Sequence, residues 1–229
     1  MANLFVPEVP SYGKRSVFIV DDHPLLRQGL SLLINQQQDL EVGGWAEDAE
    51  TALQAIANNR PGVMIVDISL GGTDGLDLLK TIRSFDGVLP VLILSMHDES
   101  VYAERALRAG ANGYIMKQQA TEEVLAAVRR ILQGGVYLSD GISNKMLQQY
   151  VGGTPASASS RISNLSDREL EVFCLVGEGR ATREIADQLR LSVKTIETYQ
   201  AHIKEKLVLR SGRELIQQAI QWRSGERAV

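Results

Sequence analysis

The sequence predicts two domains: a doubly wound α/β domain with a five-stranded parallel sheet, then a small all-α domain of about four helices. Short apolar runs alternate with amphipathic stretches five times within about the first 135 residues, a pattern typical of strands that helices cover on both faces. Strand signals disappear from residue 165 onward. A segment rich in Gly, Ser and Ala lies between the two patterns and predicts a flexible linker.

Five strand–helix units make up the predicted α/β domain. In each unit a short apolar strand precedes a helix whose apolar residues recur at steps of three or four. The strands cover residues 16–20, 40–45, 63–66, 91–94 and 113–116, and the helices cover residues 25–34, 48–58, 75–84, 99–109 and 121–132. Ligands of an open parallel sheet bind at the carboxyl ends of its strands, so the residues that follow each strand are the candidates for a functional site.

Helix signals alone occupy the rest of the chain. Ser166 with Glu169, and Ser211 with Glu214, form the Ser-x-x-Glu pattern of a capping box, which marks the start of a helix. Ser192 is a further candidate N-cap. The other predicted helices cover residues 139–150, 182–189 and 193–207, and the linker covers 152–163. The predicted domains are residues 14–135 and 162–226, joined by residues 136–161.

Composition excludes several classes of protein. Hydrophobic residues make up 44% of the chain and charged residues 23%, which excludes a disordered or collagenous chain. No apolar run approaches the roughly 18–20 residues of a membrane helix, and the first residues lack the apolar core of a signal peptide. The single cysteine, Cys174, excludes an internal disulfide framework. We therefore expect a cytoplasmic protein with no membrane partner.

Charge is divided unequally between the two predicted domains. Residues 161–229 carry 12 basic and 10 acidic residues, a net charge of +2, whereas residues 1–160 carry 12 basic and 18 acidic residues, a net charge of −6. The division indicates different partners for the two domains, with an anion as the candidate partner of the second. An excess of two positive charges is weak support by itself, because most surface charges only solvate the protein.

Charged and hydroxyl side chains follow four of the five predicted strands. Asp21 and Asp22 follow the first strand, Asp67 the third, Ser95 the fourth and Lys117 the fifth. Carboxylates that converge at one edge repel each other unless a cation compensates their charge, and Mg²⁺ prefers oxygen ligands of this kind. A single aspartate at a strand end is as often a loop cap as a ligand. The combination nevertheless predicts a functional site with Mg²⁺ as its candidate ion.

The motifs around these residues resemble the receiver domain of bacterial two-component response regulators. They are Asp21-Asp22-His-Pro, Val-Asp67-Ile, Leu-Ser95-Met-His, and the segment RAGANGYIMK that ends at Lys117, and the similarity covers about residues 14–135. The resemblance implies a flavodoxin-like fold in which Asp67 accepts a phosphoryl group from a histidine kinase. That role is chemically consistent, because a carboxylate can form an acyl phosphate when the charge of the phosphoryl oxygens is neutralised.

The same resemblance implies roles for the remaining residues of the site. Lys117 pairs with the phosphoryl oxygens, and Ser95 donates a hydrogen bond to them. Tyr114 is the switch aromatic that moves as Ser95 reorients. Gly71 stands where many relatives carry a proline, and it loosens the turn in a way that bears on the lifetime of the phosphoryl group. The implied Mg²⁺ ligands are three carboxylates and one backbone carbonyl, those of Asp21, Asp22, Asp67 and Ser69.

The second domain resembles the LuxR-type helix-turn-helix over about residues 162–224, through the segments LSDRELEVF (165–173), TREIA (182–186) and LSVKTIETY (191–199). On the predicted helix 193–207 the apolar residues at helical spacing are expected to pack inward; they are Val193, Ile196, Tyr199, Ile203 and Leu207. The outward face would enter the major groove of DNA. From the outward residues alone, a solvated helix face is the favoured interpretation, and the resemblance reverses that preference. The implied DNA-binding residues are Thr182, Ser192, Lys194, Thr195, Glu197, Thr198, Ala201 and Lys206.

Both resemblances together imply a response regulator of the NarL/FixJ type, a transcription regulator controlled by phosphorylation of Asp67. It would be no enzyme beyond its own phosphorylation and dephosphorylation at that residue. The implied partners are a histidine kinase and double-stranded DNA, with RNA polymerase as a further candidate and a second copy of the chain once it is phosphorylated.

Two alternatives stay open. A Mg²⁺-dependent phosphohydrolase would use Asp67 as its nucleophile, but it is disfavoured because Ser69, and not a second carboxylate, stands two residues later. A regulator that senses a small molecule could carry the same helix-turn-helix. Its pocket would be mostly apolar, which the acidic cluster at the strand ends disfavours.

Overall fold

A five-stranded parallel sheet forms the centre of the first domain. The structure is a computed structural model, and it describes residues 13–70, 73–152 and 162–226. The strands are β1 (Arg15–Val20), β2 (Leu40–Ala46), β3 (Val63–Asp67), β4 (Ser69–Leu70), β5 (Thr73–Asp74), β6 (Val91–Ser95) and β7 (Gly113–Met116). In the sheet the order is β2, β1, β3, β6 and β7, and all neighbours pair in parallel, which confirms the predicted sheet. Strands β4 and β5 form a separate antiparallel hairpin.

The helices are α1 (Pro24–Asn35), α2 (Ala49–Asn58), α3 (Gly75–Phe85), α4 (Glu99–Arg108), α5 (Ala120–Leu132), α6 (Asp140–Gly152), α7 (Asp167–Gly177), α8 (Thr182–Leu189), α9 (Val193–Leu207) and α10 (Gly212–Glu226). Helices α1 to α5 alternate with the sheet strands, and α6 to α10 follow them. Asp48, Asp74 and Asp98 cap α2, α3 and α4, because each side chain accepts a hydrogen bond from a backbone N–H of the first turn. In the part of the chain that the structure describes, no helix is both long and apolar enough to cross a membrane.

Both faces of the sheet are buried, because successive side chains of a strand point to opposite faces. Val17 and Ile19 of β1 belong to an apolar cluster that α1 and α5 cover. Phe18 and Val20 belong to the cluster on the other face, which α2, α3 and α4 cover. This second cluster continues without interruption to Phe173 of α7. The helical domain therefore shares an apolar core with one face of the sheet.

The capping boxes predicted for the helical domain form to different extents. Ser166 and Glu169 make both hydrogen bonds of the box at the start of α7, which confirms that prediction. At α10, the Ser211 hydroxyl accepts from the Glu214 N–H at 3.2 Å, but the Glu214 carboxylate accepts from the Arg210 N–H at 2.8 Å. The second box is therefore half formed, with the carboxylate satisfying an N–H one residue earlier.

The prediction for the inward face of α9 is wrong at one residue. Ile196, Ile203 and Leu207 are buried and Tyr199 is half-buried, as predicted, but Val193 is 41% exposed. Val193 is the first residue of α9. Helical side chains point back toward the N-terminus, so this one extends past the end of the helix.

Some of the sequence predictions fall on residues that the structure does not describe. Gly71 is one of them, and so is most of the predicted linker 152–163, since the description stops at residue 152 and resumes at residue 162. The helix predicted at 139–150 is present as α6 and extends to Gly152.

Candidate functional site

Three carboxylates meet at the carboxyl edge of the sheet, as the sequence predicts. Asp21 and Asp22 directly follow β1, and Asp67 is the last residue of β3. One ligand atom from each, together with a ring nitrogen of His23, all lie within 4.8 Å of one another. The His23 Nδ1 is 2.7 Å from the Asp22 Oδ1 and 3.1 Å from the Asp21 Oδ1. The sequence does not predict a place for His23 in this site, although its position next to two aspartates is a signal for one.

Lys117 supplies the positive charge of the cluster. Its Nζ lies 2.7 Å from the Asp67 Oδ2 and 2.8 Å from the Asp21 Oδ2, and its side chain is 7% exposed. Burial raises the pKa of Asp67 to about 6; the nearby Lys117 charge opposes this rise and the Asp21 charge adds to it. One ammonium therefore faces two buried carboxylates. A donor set of carboxylate oxygens with an excess of negative charge fits Mg²⁺.

Ser95 and Tyr114, the two predicted switch residues, both form hydrogen bonds with the backbone of His97. Ser95, the last residue of β6, is fully buried, and its hydroxyl accepts a hydrogen bond from the His97 N–H at 3.1 Å. Tyr114 of β7 is also buried, and its hydroxyl donates to the His97 carbonyl at 2.9 Å. Burial raises the pKa of the Tyr114 hydroxyl above its usual value. Both side chains are therefore hydrogen-bonded to the backbone of His97.

Glu171 of α7 reaches this edge of the sheet from the helical domain. Its Oε1 accepts a hydrogen bond from the Ser69 hydroxyl at 2.6 Å and lies 3.0 Å from the His97 Nε2. Its other oxygen pairs with Arg168, which also donates to the Thr73 carbonyl at 3.0 Å. Burial alone would raise the pKa of Glu171, but these neighbours, with His97 first, lower it to about 2. Sequence patterns did not predict this contact, because it joins two domains with no local signal.

Other ion pairs attach the helical domain to the receiver, among them those of Arg105 and Arg190. On α4, the Arg105 guanidinium donates to the Leu165 carbonyl at 2.8 Å and to the Asp167 Oδ1 at 3.0 Å. In the turn between α8 and α9, the Arg190 Nη1 lies 2.7 Å from the Asp22 Oδ2. The helical domain thus contacts one of the predicted Mg²⁺ ligands directly.

The predicted outward face of α9 is exposed along its length, at Lys194, Glu197, Thr198 and Ala201. Ser192 is the N-cap of α9, as predicted, and its hydroxyl accepts from the Thr195 N–H at 3.0 Å. The exposed residues are small or polar. Such a face can enter a major groove without steric obstruction.

Two predicted phosphate contacts have partners inside the helical domain. The Lys206 ammonium lies 2.6 Å from the Glu169 Oε2. Thr182, at the start of α8, is half-buried, and its hydroxyl accepts from the Gln200 side-chain amide at 3.3 Å. Glu169 therefore partly neutralises the Lys206 charge, whereas the Thr182 O–H, which only accepts from Gln200, can still donate to a DNA phosphate.

The fold and this arrangement of side chains define a class of protein: a receiver domain joined to a helix-turn-helix domain. Residues 17–129 match the response regulator receiver domain, and residues 163–219 match the bacterial regulatory proteins of the luxR family. The chain therefore belongs to the response regulators of the NarL/FixJ type, which combine these two domains.

Relatives of known function and of known structure match about nine tenths of this chain. The oxygen regulatory protein NreC of Staphylococcus carnosus (strain TM300) is 37% identical over 209 residues, which are 89% of this chain and 96% of NreC. RcsB from Salmonella enterica serovar Typhimurium, solved bound to the promoter rprA with the phosphomimetic BeF3⁻, is 26% identical with a TM-score of 0.58, over 90% of this chain and 98% of RcsB. A structure of two RcsB dimers bound to two parallel DNAs is 25% identical with a TM-score of 0.54, over 90% of this chain and 97% of the other.

Proposed function

We propose that this protein is a transcription regulator that is switched when a histidine kinase transfers a phosphoryl group to Asp67. The observation that carries the proposal is the position of Lys117, whose ammonium lies 2.7 Å from Asp67 and 2.8 Å from Asp21 at the carboxyl edge of the sheet. There it can neutralise an anion that becomes attached to Asp67. A phosphohydrolase with the same nucleophile would need an acid/base carboxylate two residues later, where this chain has Ser69.

The proposed transfer makes one bond and breaks one. A carboxylate oxygen of Asp67 attacks the phosphorus of a phosphohistidine, the P–N bond breaks, and its electron pair leaves with the imidazole nitrogen of the kinase. Lys117 then pairs with the phosphoryl oxygens, and the Ser95 hydroxyl donates a hydrogen bond to them. Bound Mg²⁺ would supply charge neutralisation, held by the carboxylates of Asp21, Asp22 and Asp67 and the Ser69 backbone carbonyl.

The proposed consequence is release of the helical domain. Reorientation of Ser95 and Tyr114 would shift His97, whose ring contacts Glu171 of α7 at 3.0 Å. Loss of that contact would weaken the attachment of α7 to the sheet edge. The freed domains, residues 14–135 and 162–226, could then form a homodimer on a two-fold site, in keeping with the dimers in the RcsB structure.

Double-stranded DNA is the proposed partner of the helical domain. Lys194, Glu197, Thr198 and Ala201 would face base edges, and the remaining residues would contact phosphates; these are Thr182, Ser192, Thr195 and Lys206. A regulator bound at a promoter would meet RNA polymerase, which is therefore a third proposed partner. The proposed site of action is the cytoplasm, because that is where bacterial DNA lies.

Phosphorylation with acetyl phosphate tests the assignment of Asp67. With Mg²⁺ the full chain should gain the mass of one phosphoryl group, and Asp67→Asn should gain none. Asp77→Asn, which removes an exposed carboxylate from α3, is the matched control and should react like the wild type. Lys117→Ala should still bind Mg²⁺ but react poorly, since it removes a partner of the phosphoryl group and not a metal ligand. Modification that persists in Asp67→Asn, or that forms equally without Mg²⁺, would show that Asp67 is not the acceptor.

A further inference from the structure

Arg190 extends from the helix-turn-helix into the acidic cluster of the receiver. It lies in the turn between α8 and α9, with a left-handed backbone φ of 54°. Its Nη1 lies 2.7 Å from the Asp22 Oδ2; the Asp22 side chain is 8% exposed, and that of Arg190 is 59% exposed. A cavity of about 70 Å³ lies beside this pair, lined by His23 and Ser69 from the receiver and by Arg168 and Arg190 from the helical domain. The carboxylate is thus enclosed from both domains.

This ion pair uses an oxygen of a carboxylate that the proposed function assigns to Mg²⁺. A guanidinium and a divalent cation beside one carboxylate repel each other, and the same oxygen lone pairs cannot serve both fully. We propose that Arg190 and Mg²⁺ compete for Asp22, so that closure of the helical domain weakens cation binding and cation binding weakens closure. The inference rests on the proposed function for the role of Asp22 as a ligand.

The Arg190 guanidinium is also positioned to contact a DNA phosphate. Arg190 stands two residues before Ser192, the N-cap of α9, and phosphates lie against the N-terminal end of a recognition helix in the major groove. Arg190 therefore has two alternative anionic partners, the Asp22 carboxylate in the closed arrangement and a DNA phosphate in the open one. Because coupling between two sites is reciprocal, DNA that captures Arg190 raises the Mg²⁺ affinity of the receiver. Bound DNA thereby favours the state that can be phosphorylated.

The competition acts on one contact among several at the boundary between the domains. The Arg105–Asp167 ion pair and the Ser69–Glu171 hydrogen bond also attach the helical domain to the receiver, and neither involves Asp22. Mg²⁺ alone therefore loosens the closed arrangement without abolishing it. The expected effect on affinity is correspondingly moderate.

Calorimetric titration of the unphosphorylated full chain with Mg²⁺, at constant ionic strength, tests the competition. Arg190→Gln should lower the Kd for Mg²⁺ about three- to tenfold, and Arg190→Lys should stay close to the wild type because it keeps the charge. The matched control is Arg180→Gln, which removes an equal charge from the same domain; the Arg180 guanidinium lies 3.8 Å from Glu178. A change in Arg190→Gln no larger than that of this control overturns the inference.

A double-mutant cycle separates closure from a long-range charge effect. Arg105→Gln loosens the same boundary at α4 and should lower the Kd for Mg²⁺ in the wild type but leave it unchanged in Arg190→Gln, where no competitor remains. Equal effects of Arg105→Gln in both backgrounds would overturn the inference. The absence of Mg²⁺ binding from every variant would overturn the metal part of the proposed function as well. If the wild type and all variants bind Mg²⁺ with the same measurable affinity and Asp67 is phosphorylated normally, the inference is overturned but the proposed function is not.

Discussion

Glu171 accepts a hydrogen bond from the Ser69 hydroxyl at 2.6 Å, although the two residues are 102 positions apart. Ser69 stands two residues after Asp67, and the same glutamate oxygen lies 3.0 Å from His97, which stands two residues after Ser95. One buried carboxylate of the helical domain therefore holds both loops that flank the proposed phosphorylation site. A rearrangement of either loop changes the hydrogen bonding of Glu171.

We predict that Glu171→Gln weakens closure of the helical domain. The amide keeps the shape of the side chain but removes the negative charge that faces Arg168 and His97, and this leaves a buried guanidinium without its counter-charge at a cost of about 1–3 kcal/mol. Unphosphorylated Glu171→Gln should bind a short mixed-sequence duplex several-fold more tightly than the wild type in fluorescence anisotropy at low salt. Glu178→Gln, at the exposed end of α7, is the control. Unchanged binding in Glu171→Gln would contradict a closing role for Glu171.

Asp74 should make the stability of the receiver depend on pH. The residue is 4% exposed and caps α3, and burial raises its pKa to about 7 from 3.8. Between about pH 4 and pH 7 the Asp74 carboxyl therefore keeps its proton in the folded state and loses it in the unfolded state. Its contribution to stability is full below about pH 4 and is lost as the pH rises through 7. The loss is on the order of 4 kcal/mol.

Asp74→Asn should remove that part of the pH dependence. The neutral amide can still accept the hydrogen bond from the Leu76 N–H, which the carboxylate accepts at 2.8 Å. Urea unfolding at pH 6 and pH 8 should show a smaller loss of unfolding free energy for Asp74→Asn than for the wild type. Asp77→Asn, on the exposed face of the same helix, should behave like the wild type. Equal losses for wild type and Asp74→Asn would refute the assignment.

Gly75→Ala should disturb the segment that carries Asp67. A Cβ at Gly75 would lie 1.9 Å from the Asp67 carbonyl oxygen, which is backbone and cannot rotate away. We expect a loss of about 1–3 kcal/mol in unfolding free energy and slower reaction with acetyl phosphate. Gly29→Ala is the control, because nothing lies within 4 Å of a Cβ at that helical position; it should be neutral or stabilising by up to about 1 kcal/mol. A Gly75→Ala variant as stable as the wild type would show that α3 can shift without cost.

The parts of the structure that the sequence predicts are those with a local or periodic signal. Apolar runs and helical spacing predict the sheet, and the strand-end rule brings Asp67 and Lys117 together across 50 positions. The hairpin of β4 and β5 is not predicted, because strands of two residues are too short to show any period. The contacts of Glu171 and Arg190 are not predicted either, because the docking of one domain on another leaves no pattern in the neighbouring residues.

The buried and exposed residues of α9 are also predicted from a local signal, the helical period, and this prediction fails at the first residue of the helix. The helical period places its buried and exposed residues correctly except at Val193, where the helix begins and neighbouring turns are missing. Lys206 illustrates a second limit. Its charge and position predict a phosphate contact, but its ammonium lies 2.6 Å from Glu169, a partner on another helix that the sequence of α9 does not reveal.

The exposed face of α9 should separate residues that read bases from residues that contact phosphates. Changing Lys194 or Thr198 should alter which DNA site is preferred, at a cost on the order of 1–3 kcal/mol at one base pair. Changing Lys206 to Gln should weaken binding to all sequences alike and reduce the salt slope by about one, provided that DNA displaces its Glu169 partner. If that pair persists on DNA, the slope should stay unchanged.

Selection of a randomised duplex library by the full chain, followed by affinity measurements at several salt concentrations, distinguishes these roles. Glu205→Gln, at an exposed position of the same helix outside the proposed face, is the control and should preserve the preferred sequence. Glu197→Gln decides the role of the one carboxylate on the face: a carboxylate that accepts from cytosine gives a changed preference, whereas one that only repels phosphates gives tighter binding to every sequence. Uniform losses for Lys194, Thr198 and Lys206 variants would mean that another face, or another helix, enters the groove.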